Sequence, residues 1–196
     1  MPHCSRKLVF AVCLVGLCWY GMMVVHELGH VVGACATGGT VTRIVLHPLS
    51  ISRTDVSPNP SPAIVVWLGP VMGALLPLLL LAIGQHCRVE KILRFFAGFC
   101  LIVNGAYISV GALNTVGALN TVGDAGEMLR CGASTWMLIA FGATAISGGL
   151  MIWHRLGSVT EFFAAESSVT LRMAVATVIS LSAMVLLLAE LSPSAQ

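Results

Sequence analysis

His26-Glu27-Leu28-Gly29-His30 lies inside the first apolar stretch of the chain. On a helix, two histidines four positions apart share one face and can grip one metal ion, while the glutamate beside the first can act as general base toward a water molecule. The chemistry that this spacing suits is hydrolysis at a zinc centre. The neighbours Met22, Met23, Val24, Val25, Val31 and Val32 leave no solvated face for these polar groups. An acid at the centre of a membrane helix costs roughly 2.5–3.5 kcal/mol on insertion scales, and a bound cation would offset that cost. The bland alternative is a polar cluster whose members satisfy one another between helices.

A catalytic zinc ordinarily takes three protein ligands and keeps a fourth position open, so the motif needs a partner from elsewhere. Asp124, Glu127 and His47 are the candidates. Asp124 is preferred, because it follows a long membrane segment within Gly123-Asp124-Ala125-Gly126 and would be desolvated at a cost if unpaired. Glu127 lies three residues further on, and His47 sits in a strand-like connector, where a histidine more often packs than ligates.

The elements that must position these groups are membrane elements. The chain has 196 residues, 57% hydrophobic and 9% charged, with a mean hydropathy of +0.94, far outside the range of soluble domains. It reads as an integral, multi-pass membrane protein. A net charge of +2 without a basic stripe argues against nucleic acid as a partner. Seven cysteines without a CxxC pair fall mostly in apolar runs and suggest no disulfide framework. Arg6-Lys7 ahead of an apolar run mimics a signal peptide, but the run is long and lacks a small-residue cleavage site before the histidines, so it reads as a retained anchor.

Five segments are long enough to cross a bilayer, roughly 8 to 36, 61 to 84, 92 to 121, 133 to 153 and 168 to 190. The expected fold is all-α and polytopic, with a short strand or hairpin after the first helix. That strand is predicted over 41 to 47, where branched residues are bounded by Gly38-Gly39 and Pro48. Pro70 and Pro77 predict a bend in the second helix. In the third segment Val-Gly-Ala-Leu-Asn-Thr at 110 to 115 repeats at 116 to 121. Six extra helical residues would turn the downstream face by roughly 240°, so the third segment is expected to unwind partly. With the N-terminus inside, Arg6, Lys7, Arg88, Lys91, Arg94, Arg155 and Arg172 lie on the inner side, and Arg43, Arg53 and Arg130 outside. In either orientation the ends of the first and third spans emerge on one side, which brings Asp124 to the level of His30.

These residues resemble the site-2 protease family of intramembrane zinc metallopeptidases, especially its small members. The likeness rests on His26 to His30, the following Thr37-Gly38-Gly39-Thr40-Val41-Thr42-Arg43-Ile44, Gly69-Pro70 in the next helix, and an aspartate at the end of the third. It spans about 20 to 132, within a single membrane-embedded domain over 1 to 196, the stretch 133 to 196 adding two further transmembrane helices. The resemblance implies that His26, His30 and Asp124 bind one Zn2+ per chain and that Glu27 activates water. It implies cleavage of membrane-protein substrates within or near the bilayer, in the plasma membrane of a bacterial-type cell. Two departures stand out. The family commonly shows Asp-Gly after Leu or Pro where this chain has Asp124-Ala125, and an asparagine where this chain has Gly73. Asn104, Asn114 and Asn120 are weak candidate substitutes for that substrate-binding amide. The family often places its site toward the cytosol, whereas the charge count places it outside. Two other readings remain open: a catalytically inactive zinc-binding scaffold, and an ion or proton pathway through the intramembrane ionisable groups.

Overall fold

The first apolar run folds as one helix, α1 (His3–Ala36). At 34 residues it is about 51 Å long against a hydrocarbon core of about 30 Å. It stops where Gly38 takes a left-handed φ of 76°, so that the Gly39 amide turns back to the Ala34 carbonyl at 2.8 Å. The computed structural model describes residues 3–48, 50, 52–87, 89–115, 123–157 and 171–191.

The connector after α1 is an antiparallel hairpin, β1 (Val41–Val45) with β2 (Arg53–Val56). Val41 faces Val56, Ile44 faces Thr54 and Val45 faces Arg53, with an irregularity between Val41 and Arg43. Both strands pack on α1. The predicted strand is therefore half of a ladder; its partner carried no clear alternation in Arg53-Thr54-Asp55-Val56.

Pro62 opens α2 (Pro62–Gly84), where a missing amide costs nothing. This helix continues through Pro70 and Pro77 and packs on α1 and on α3 (Glu90–Thr115). Next come the short α4 (Asp124–Arg130), α5 (Thr135–His154) and α6 (Leu171–Leu191). Among the described residues five helices, all except α4, are long and apolar enough to cross a membrane, in line with the five expected segments. Leu8, Val12, Leu75, Leu79, Leu186 and Leu187 are exposed on them, as a lipid-facing surface requires. The third segment was expected to reach 121; α3 ends at Thr115, and the second copy of the repeat lies outside the described residues.

Phe10, Leu14, Cys18 and Met22, one helical turn apart on α1, pack against Phe95, Phe99 and Cys100 of α3 and Ala174 of α6. A second cluster, Val66, Ile108, Ala112, Ala125, Met128 and Leu138, ties α4 to α2, α3 and α5. That cluster makes the chain double back. A helix continuing from Tyr107 to Asp124 would separate them by about 25 Å, yet the Asp124 amide lies 3.4 Å from the Tyr107 hydroxyl. Gly123 precedes α4 with φ 87°, and a Cβ there would stand 2.7 Å from that hydroxyl.

Candidate metal centre

His26, Glu27 and His30 are all buried, at 6%, 3% and 6% exposure. Their ligand atoms lie within 4.8 Å of one another, a grouping that could hold a metal ion. The helical register of α1 alone brings them together. What the register does not decide is which ring nitrogen faces inward, and two neighbouring helices decide that.

Asn104 on α3 supplies the first control. Its amide nitrogen donates to the Cys100 carbonyl at 2.8 Å, and because a carbonyl only accepts, the amide oxygen must be the atom 2.7 Å from His26 Nδ1. His26 Nδ1 therefore carries the proton. On α2, the Val65 carbonyl accepts from His30 Nδ1 at 2.9 Å. Both imidazoles thus turn Nε2 toward a common point, where Asp124 Oδ2 lies 2.7 Å from His26 and 3.5 Å from His30. Burial alone would raise the Asp124 carboxyl, but hydrogen bonds and charge from His26 and His30 outweigh it and hold the group well below the usual carboxylate range.

The close fit of α2 depends on missing side chains. A Cβ on Gly69 would collide with the His30 ring, and one on Gly29 would collide with the Leu68 carbonyl. Gly69-Pro70, quoted above for its resemblance, is thus the floor beneath His30.

Glu27 points to the hairpin, where the Thr54 hydroxyl donates to Oε2 at 2.7 Å. Two cavities flank the centre. One, of about 540 Å³, is largely apolar and is lined by Trp19, Met22, Met23, Val103 and Tyr107 together with His26, Glu27 and Asp124. The other, of about 480 Å³, is the more polar of the two, with Arg53, Asp55, Asn59 and Glu127 beside His30 and Asp124.

Of the third-ligand candidates, Asp124 meets the histidines. Glu127 is engaged with Arg130 at 2.8 Å, and His47 lies past β1, outside the His26-Glu27-His30 group. Asn114 is exposed near the end of α3 and lines neither cavity; Asn120 is outside the described residues. Thr54, Tyr107 and the Val65 carbonyl were not anticipated. A usable signal existed for Tyr107, which stands three residues after Asn104 on an apolar helix and so shares its face.

A membrane-type helical bundle that buries a His-Glu-His group able to hold a metal ion defines a narrow class of protein. Residues 8–122 match the Peptidase M50B-like family, and with more than half of its length matched the chain belongs to that family, in keeping with its likeness to the site-2 proteases. The family is one of metallopeptidases. Asp124 lies just beyond the matched residues. No curated protein and no solved structure matches the chain.

Proposed function

We propose that the protein is a zinc-dependent endopeptidase that cleaves membrane-protein substrates within or next to the bilayer, with His26, His30 and Asp124 as metal ligands and Glu27 as general base. The observation that carries this reading is the convergence of two Nε2 atoms and Asp124 Oδ2 beside a buried glutamate. Two imidazole nitrogens and one carboxylate suit zinc, and the Nδ1 partners of both rings are those that metal-ligating histidines take. When bound, zinc would polarise the scissile carbonyl and make water easier to deprotonate.

The remaining work falls to the chain. With Oε2 of Glu27 held by Thr54, the other carboxylate oxygen is left to take a proton from water and pass it to the leaving amine. A helical substrate hides its carbonyls in hydrogen bonds, so the scissile segment must unwind. The hairpin offers strand edges to an extended segment, the apolar cavity takes the side chains drawn from the lipid phase, and the polar cavity admits water.

The test uses detergent-purified and liposome-reconstituted protein with a panel of single-span reporter peptides carrying helix-weakening residues beside the span. Cleavage by the wild type, loss of cleavage in Glu27→Gln with zinc content near one per chain, and loss of zinc in His26→Ala and Asp124→Ala are expected. Cleavage that survives Glu27→Gln refutes the mechanism. Stoichiometric zinc with no cleavage of any reporter favours the scaffold.

A further inference from the structure

Asn104 is the most deeply buried polar side chain among the described residues that surround the centre, at 1% exposure. It sits in the middle of α3, where an apolar residue would cost less to bury. Both ends of its amide are occupied: the nitrogen donates to Cys100, and the oxygen accepts from His26 Nδ1. The amide oxygen is thus committed to His26, and one amide N–H to Cys100. Space for the amide comes from α2. A Cβ on Gly73 would stand 2.7 Å from Asn104 Oδ1, 2.8 Å from Nδ2 and 2.9 Å from Cγ. Gly73, read from the sequence as a lost amide, is the cradle of another.

We propose that Asn104, seated against Gly73, is a positioning residue for His26, locking its imidazole as the Nδ1–H tautomer with Nε2 turned to the metal position. The inference rests on the zinc reading given above and adds a residue pair to it. His30 takes its orientation from the Val65 backbone carbonyl, which no substitution of Val65 removes. His26 has no backbone acceptor among its hydrogen bonds, and its Nδ1 relies on one side chain. Of the two ligands, His26 is thus the one whose Nδ1 acceptor is a side chain that a substitution can remove.

The experiment measures zinc affinity of detergent-purified protein by competition with a chromophoric chelator, and the ring-nitrogen shifts of 15N-histidine-labelled, metal-free protein. Asn104→Leu is expected to bind zinc about 10- to 100-fold more weakly, the usual effect of removing a histidine's outer partner, and to lose the single His26 tautomer. Asn104→Asp, which keeps the accepting oxygen, retains most of the affinity. Gly73→Ala gives a loss in the same direction, because its new methyl displaces the amide without touching a histidine, and it keeps the test alive should Asn104→Leu fail to fold. Wild-type affinity in Asn104→Leu overturns the proposal, as does an equal loss in Asn104→Asp or an unchanged tautomer in both substitutions. These results leave the zinc reading standing. Absence of zinc uptake by the wild type removes that reading and this one with it.

Discussion

Between α1 and α2 a Cβ on Gly29 would strike the Leu68 carbonyl, and between α3 and α5 a Cβ on Gly105 would stand 2.8 Å from the Gly142 carbonyl. Both interfaces use glycine to bring helix backbones together, as membrane helices commonly do. Their contents differ. In the first, closeness delivers a backbone acceptor to His30 and a flat surface beneath its ring. In the second, Gly142 packs against Ser109 and the Gly105 carbonyl, while Trp153 stacks on Phe95 and donates to its carbonyl at 2.9 Å. The α3–α5 interface holds the bundle; the α1–α2 interface holds the bundle and aims a side chain. Close approach is therefore structural by default, and becomes functional where a residue with two usable nitrogens must present only one.

Four substitutions would break or sharpen this contrast. Glu27→Gln has the largest expected effect, a loss of about 100- to 10,000-fold in cleavage rate, as removal of a general base predicts, with zinc affinity kept. Next is Gly69→Ala on the α2 side, whose methyl strikes the His30 ring; zinc affinity should fall about 10- to 100-fold by chelator competition. Thr54→Val removes one hydrogen bond from Glu27, worth about 1 kcal/mol, so cleavage should slow by about fivefold with no change in metal content. On the other interface, Gly142→Ala overpacks against Ser109 and should lower stability by about 1–3 kcal/mol in a thermal melt while leaving zinc affinity at the wild-type value. A loss of zinc in Gly142→Ala equal to that in Gly69→Ala would erase the distinction between the two interfaces.

The metal-type residues were legible because their signal is local: helical spacing in a run with no other polar group. The five spans were legible for the same reason, since length and hydropathy act segment by segment. Asp124 could be brought near by counting crossings, but counting did not supply the contact that sets it beside Tyr107. Thr54 was hidden because its role depends on a pairing register with β1, to which Arg53-Thr54-Asp55-Val56 gives no periodic clue. The Val65 carbonyl is beyond any reading of side chains. Asn104 was visible as an amide in an apolar helix, but its contact with His26 was not, because the space it fills is left by Gly73 on a different helix.

Asp124 arrives on its own short helix, folded back against α3, and this bears on how the chain tolerates change in length. Six residues inserted into an unbroken helix would swing a downstream carboxylate to another face. Here its direction is set instead by Ala125 and Met128 packing on Ile108 and Ala112. The first copy of the hexapeptide closes α3 at Thr115, upstream of that anchorage, so the direction of the carboxylate does not depend on the helical phase of α3. Deletion of one copy is a natural way to test that independence.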